Sequence, residues 1–206
     1  MAEPADADRA ARRRLRALRR SMPRAERAAA ARAIAARLRR LGCARPGLRV
    51  AAYLAMPGEA SLADFLAAAS ATGTRLWVPR IASRRRRTLE FVELAPGASL
   101  RRGAYGISEP AGRSRPVRIG NLDVVLVPLV AFDRAGHRLG MGAGYYDRAL
   151  AARRDRGRAY RRPKLVGIAY ACQEVDSIDP RAWDVALDAV VTERELIVPR
   201  AAARRR

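Results

Sequence analysis

The sequence predicts an α/β fold, and three observations carry the prediction. Strand-like and helix-like stretches alternate along the chain. The strand-like runs place apolar and β-branched residues on consecutive positions, as at Val124, Val125, Leu126 and Val127, the pattern of a strand covered on both faces. A glycine-rich stretch then separates that run from a helix-forming one, the order strand, loop, helix of an α/β unit. With 206 residues, 50% of them hydrophobic, the chain can build one sizeable core, so a single domain over residues 1–206 is expected.

The elements follow in order. Residues 6–20 and 23–41 are rich in Ala, Arg and Leu and predict two helices, with Ser21 as a cap and Pro23 in the first turn of the second. Residues 48–54 (LRVAAYL) predict a strand. Ser61 followed by Asp64 resembles a capping box opening a helix through about residue 71. Residues 75–79 and 89–94 predict two more strands around the basic run 84–87, which reads most simply as a solvated hairpin tip. The Gly- and Pro-punctuated stretch 102–110 predicts a loop. Residues 123–132 predict one buried strand and 145–154 a helix. A charged connection (153–162), strands at 164–170 and 187–191, and a basic tail at 201–206 complete the chain.

The formal net charge of +22 raises the question of nucleic acid or an anionic surface. Lys164 is the only lysine, however, and Arg and Ala are abundant everywhere, as compositional bias on solvated positions produces. No nucleic-acid-binding module is recognisable, so specific nucleic-acid binding is not expected; a basic RNA-binding protein is the alternative reading. Cys43 and Cys172 fit no metal or redox spacing and read as two reduced thiols. There is no secretory leader pattern and no apolar run of membrane-spanning length, so a cytoplasmic protein without membrane association is expected.

Residues 137–148, HRLGMGAGYYDR, concentrate the chemistry. Gly140, Gly142 and Gly144 let backbone N–H groups approach a ligand, and the helix N-terminus behind them favours an anion such as phosphate. Arg138 adds a forked donor. Asp147 beside phosphates calls for an intervening cation, which Mg²⁺ would supply. Neither the Walker A loop nor the dinucleotide pattern fits, because Tyr145 and Tyr146 follow Gly144. His137, the one histidine, reads as a loop residue.

The string RLGMGAGYYDR, with FDRAG ahead of it, closely resembles the signature of the 5-formyltetrahydrofolate cyclo-ligase family, also called 5,10-methenyltetrahydrofolate synthetases. The resemblance runs from about residue 12 to residue 196. It implies a three-layer α/β/α open sheet of the NagB/RpiA/CoA-transferase-like type. It also implies ATP- and Mg²⁺-dependent cyclisation of 5-formyltetrahydrofolate, free or polyglutamylated, to 5,10-methenyltetrahydrofolate by a monomer.

Residue by residue, the family's Lys-x-x-Leu-Arg element near the N-terminus implies nucleotide contacts for Arg12, Arg13, Arg14, Leu15 and Arg16, with Arg12 where lysine is usual. Arg138, Leu139, Gly140, Met141, Gly142, Ala143, Gly144, Tyr145 and Tyr146 complete the nucleotide site. Leu54 and Glu59 match the substrate-binding pair, joined by the stretch from Met141 to Tyr145. Glu59 would accept hydrogen bonds from pterin N–H groups. Asp147 and Asp184 match the metal positions, Trp183 standing where the family often has His, and Arg138, Tyr145 and Asp147 are the catalytic candidates. The segment RGAYGISEP resembles one lying near the folate site, and the arginines at 84–87 are candidates for capturing a polyglutamate tail.

Overall fold

The computed structural model describes residues 4–112, 114–154 and 162–199. Two helices come first, α1 (Pro4–Ser21) and α2 (Arg24–Arg40), followed by β1 (Arg49–Ala51), α3 (Ala63–Ala71), β2 (Arg75–Ser83) and β3 (Thr88–Glu93). Then come the short strands β4 (Leu100–Arg102) and β5 (Ser108–Pro110), the central β6 (Val124–Pro128), and the pair β7 (Ala131–Phe132) and β8 (Arg138–Leu139). Helix α4 (Tyr145–Arg154), β9 (Lys164–Ile168), β10 (Ala189–Val191) and β11 (Leu196–Ile197) end the described fold. None of the described helices is long and apolar enough to cross a membrane.

Seven strands form one sheet in the order β11-β10-β9-β6-β1-β2-β3. The five inner strands are parallel, and the edge strands β11 and β3 run antiparallel to their neighbours. Register places Val50 beside Val124 and Leu126 beside Val166. Successive side chains of a strand point to opposite faces, which divides the core in two. Val50, Val124, Leu126 and Val166 pack with Ile34 and Leu38 of α2 and Phe65 of α3. Ala51, Val125, Val127 and Leu165 pack with Leu150 of α4 and with Leu122 and Phe132. These are the three expected layers. Burying each Val or Leu side chain contributes about 1.5–3 kcal/mol, and a one-residue register slip would exchange the partners of both faces at once.

Several expectations need correction. Ser21 ends α1, its hydroxyl donating to the Leu18 carbonyl, and α2 is capped at Pro23 without a side-chain hydrogen bond. Ser61 Oγ accepts from the Ala63 N–H, but the cap position of α3 belongs to Leu62. The stretch 123–132 is not one strand: Pro128, which has no N–H to offer a ladder, ends β6, and the chain turns into the separate β7–β8 pair. The stretch 102–110 is a small hairpin, β4 pairing with β5 around Tyr105 at φ 56°. In the charged connection, Arg153 still belongs to α4 and is 5% exposed; residues 155–161 and the basic tail 201–206 lie outside the described residues.

The strand order fixes where a ligand can enter. From β1 the chain moves through α3 to β2 on one side, whereas β6 lies on the other. The boundary between β1 and β6 is therefore the switch point of the sheet, and open α/β sheets form crevices outside the carboxyl ends of strands at such a point.

Candidate active site

A cleft of about 570 Å³ opens at that point. Its floor is Tyr53, Leu54, Met56 and Glu59 after β1 and Pro128 and Leu129 at the end of β6. One wall is the glycine loop from Gly140 into Tyr146 and Asp147. The facing wall takes Pro79, Ile81 and Leu89 from the β2–β3 hairpin and Ala104, Tyr105, Ile107 and Glu109 from the β4–β5 hairpin. Asp8 and Arg12 of α1 and Asp179, Arg181, Trp183 and Asp184 close the mouth.

The glycine loop owes its shape to two positions. Gly142 and Gly144 have φ of 93° and 70°, the left-handed region where an L side chain is strained, so the turn into α4 needs glycine there. Gly140 has no such φ, and a Cβ there would meet nothing within 4 Å. Arginines brace the loop from two sides. Arg12 Nε donates to the Gly140 carbonyl at 2.9 Å, and Arg148 Nη1 donates to the Ala143 and Gly144 carbonyls at 3.2 Å each. With its carbonyls engaged and α4 starting at Tyr145, the loop and the helix's unpaired first-turn N–H groups form an end suited to an anion.

Arg138 is 9% exposed, and its guanidinium donates to the Val185 carbonyl and to Asp147. Tyr145 projects to the opposite hairpin. Its ring meets Tyr105 edge-on at 6.3 Å, the hydroxyls are 3.3 Å apart, and that hydrogen bond is the main reason its phenol titrates above its usual range. Arg84 lies 5.2 Å from the centre of the Tyr105 ring, so the 84–87 tip reaches the cleft mouth. Tyr146 points inward, its hydroxyl buried without a hydrogen-bond partner in the described structure, and burial pushes its phenol upward.

At the floor, Glu59 accepts the Met56 N–H at 3.0 Å. Burial raises its carboxyl above the ordinary value, and the Met56 hydrogen bond and the field of Arg19 offset part of that rise. Tyr53 donates to the Ala60 carbonyl at 2.8 Å and Tyr170 to the Glu59 carbonyl at 3.3 Å, fixing the backbone of this turn. The result is an apolar, aromatic-walled pocket with one carboxylate at its end and an anion-binding loop along its side.

The fold brings together Arg12, Leu54, Glu59, Asp147, Asp184 and the whole run from Arg138 to Tyr146. It does not bring the rest of the N-terminal basic element with them. Arg13 and Arg14 are exposed on α1, Arg16 is partly buried outside the cleft lining, and Leu15 is 2% exposed in an apolar cluster with Val130, Ala131 and Ile178. An α-helix presents residues three and four apart on one face, so α1 shows the cleft Asp8 and Arg12 and then buries Leu15 and Arg19 along the same line. Asp8 and Arg19 were missed by the sequence reading, although the 8-12-15-19 spacing carries that signal. Arg181 was also missed; it donates to Asp8 at 3.3 Å and lies 5.8 Å from the centre of the Trp183 ring.

Asp184 accepts the Arg181 N–H at 2.9 Å and still faces the cleft, whereas Asp188 is engaged by Arg153 and by the Leu165 N–H at 2.7 Å. Asp188 is thus structural. His137, in its loop, pairs with Asp133 at 2.9 Å, and both cysteines are free.

Comparison with known proteins agrees with this architecture. The sequence model of the 5-formyltetrahydrofolate cyclo-ligase family matches residues 4–193. The 5-formyltetrahydrofolate cyclo-ligase of Escherichia coli (strain K12) is 35% identical over 144 residues, covering 69% of this chain and 76% of that protein. Its Haemophilus influenzae counterpart is 31% identical over 144 residues, covering 69% and 74%. An NMR structure of an Aquifex aeolicus 5,10-methenyltetrahydrofolate synthetase aligns with a TM-score of 0.79 at 28% identity, covering 95% of this chain and 94% of that one. Sequence and fold agree over nearly the whole chain, which belongs to the 5-formyltetrahydrofolate cyclo-ligase family.

Proposed function

We propose that this protein converts 5-formyltetrahydrofolate and ATP into 5,10-methenyltetrahydrofolate, ADP and phosphate. One observation carries the reading beyond the family match: a single cleft joins an arginine-braced glycine loop at a helix N-terminus to an apolar pocket ending in the Glu59 carboxylate. Such a site suits a polyphosphate beside a flat, amide-rich ring.

The chemistry asks for that juxtaposition. A formamide oxygen is a poor leaving group. Transfer of the γ-phosphoryl group to it gives an imidate phosphate; N10 then attacks the formyl carbon, phosphate departs with the former formyl oxygen, and N10 gives up its proton. Phosphoryl transfer depends chiefly on positioning and charge neutralisation. In this reading the loop amides, Arg12 and Arg138 hold the phosphates, Leu54 and Glu59 seat the pterin, and Tyr145 orients the reacting groups. Asp147 and Asp184 suit Mg²⁺ in kind, since this ion takes one or two carboxylates together with phosphate oxygens, and among the described residues no cluster of three ligating side chains offers a cage for another metal. When bound there, the ion would neutralise phosphate charge.

Neither the family match nor the relatives support the RNA-binding alternative. The decisive assay incubates the protein with 5-formyltetrahydrofolate and Mg-ATP. The expected result is new near-ultraviolet absorbance from the methenyl amidinium with ADP in equal amount, both lost without ATP or Mg²⁺. ADP without the chromophore, or neither product from folded protein, overturns the reading.

A further inference from the structure

Beneath the Glu59 end of the cleft lies a buried cation that the ligand-facing residues do not include. Arg19, on α1, is 4% exposed. Its Nη1 donates to the Leu129 carbonyl at 3.0 Å, and its Nε is buried with no hydrogen-bond partner in the described structure. Burying a guanidinium with an unfilled donor is unfavourable unless an anion nearby compensates. That anion is Glu59, the strongest of the favourable fields acting on Arg19. The Arg19 stem also lies against the turn that carries Glu59: a Cβ built on Gly58 would stand 3.9 Å from Arg19 Cβ.

We propose that Arg19 is a positioning residue for substrate recognition, a cation beneath the cleft that keeps the Glu59 carboxylate ionised and ready to accept N–H donors from the pterin ring. The proposal rests on the folate reading above. Arg19 donates its Nη1 to the Leu129 carbonyl, so it acts on Glu59 through its field and leaves the carboxylate oxygens available to the ligand. The groups around Glu59 are Arg19 of α1, Tyr53 after β1, Tyr146 of α4 and Tyr170 after β9, with Arg16 repelling Arg19 from the same helix. The tyrosines are held neutral by burial, which leaves Arg19 as the positive field on Glu59 among the described residues. An unionised Glu59 would present a hydroxyl to ring N–H groups and lose half of a paired contact.

The experiment measures 5-formyltetrahydrofolate binding without ATP, from about pH 5.5 to 8.5, for the full chain and for Arg19→Met, Arg19→Gln and Arg19→Lys, with circular dichroism to verify folding. A neighbouring cation lowers a carboxyl pKa, so removing it moves the acid limb of binding to higher pH. Both neutral variants should shift that limb up by about one pH unit, weakening binding roughly tenfold on its acid side and recovering at high pH. Arg19→Lys should restore the limb, binding of a non-hydrolysable ATP analogue should stay unchanged, and in a Glu59→Gln background Arg19→Met should add no further pH-dependent loss. A limb that does not move, equal weakening at every pH, or neutral variants that fail to fold where Arg19→Lys folds would each overturn the proposal in favour of a structural arginine. Wild-type protein that binds no 5-formyltetrahydrofolate at any pH would overturn the functional reading itself.

Discussion

Arg12 Nε donates to the Gly140 carbonyl at 2.9 Å, joining the first helix to the glycine loop across 128 positions of sequence. The same side chain reaches Asp8, which Arg181 also contacts, so one network spans α1, the loop and the segment before Asp184. Holding the Gly140 carbonyl makes Arg12 part of the loop's geometry as well as a source of charge.

Arg12→Lys should therefore behave unlike a conservative change. An ammonium cannot reproduce the planar fork. Loss of a hydrogen bond to a charged group is worth about 1.5–3 kcal/mol, roughly ten- to hundredfold in the KM for ATP. Folding should be unaffected, because the side chain is 22% exposed at the cleft mouth. Steady-state kinetics with ATP varied at saturating folate test this, and an unchanged KM for ATP would remove Arg12 from the site.

Asp147 is held by the Arg138 guanidinium and faces the cleft 28% exposed. Asp147→Asn keeps an acceptor for Arg138 and so should keep the fold, while removing a negative oxygen that Mg²⁺ requires. Turnover at ordinary Mg²⁺ concentration should fall by about two orders of magnitude or more, as loss of a charge-stabilising group does, and recover in part at high Mg²⁺. Near-normal turnover across a Mg²⁺ titration would sink the metal assignment.

What could be read from the sequence divides along physical lines. Runs such as Val124 to Val127 declare their burial through composition, and the glycine loop declares itself through Gly142 and Gly144, where backbone conformation restricts residue choice. The inward face of α1 is hard to read because five of its last nine residues are arginine, which hides the side that turns to the core. Leu15 in its apolar cluster and Arg19 under Glu59 become distinguishable from Arg13 and Arg14 only when α1 is packed against β7 and the end of β6. The 102–110 hairpin escaped notice for a similar reason: its strands are three residues each, too short for alternation to register.

Arg153 and Asp188 offer a test of stability apart from the chemistry. Arg153 is 5% exposed and binds Asp188, the Pro163 carbonyl accepts from its Nε at 2.9 Å, and Asp188 also takes the Leu165 N–H. Asp188→Ala strands the arginine and that N–H together. Removing one partner of a buried pair costs about 3–5 kcal/mol, or about 10 °C in Tm for a chain of this size. Thermal unfolding by circular dichroism measures it, and a change under about 2 °C would mean that Asp188 is not structural.

Glu59 should set stability and recognition against each other. Its folded-state carboxyl titrates above the ordinary glutamate value because burial outweighs the Met56 N–H and Arg19. A raised carboxyl pKa means that the protonated form favours folding; that contribution is present below the unfolded pKa and is lost as pH rises through the folded one. Above the folded pKa, wild-type protein has given it up. Glu59→Gln, neutral at every pH, should thus unfold at a higher temperature than wild type at neutral pH, the gap narrowing toward zero as pH falls below the ordinary glutamate range. The same substitution should weaken 5-formyltetrahydrofolate about tenfold or more, since a charged acceptor is replaced by an amide, while ATP-analogue binding, governed by the glycine loop, stays within about twofold. Parallel melts and titrations of the two proteins decide it: a less stable Glu59→Gln protein at neutral pH, or equal loss of both ligands, would assign Glu59 to the framework of the floor instead of to the substrate.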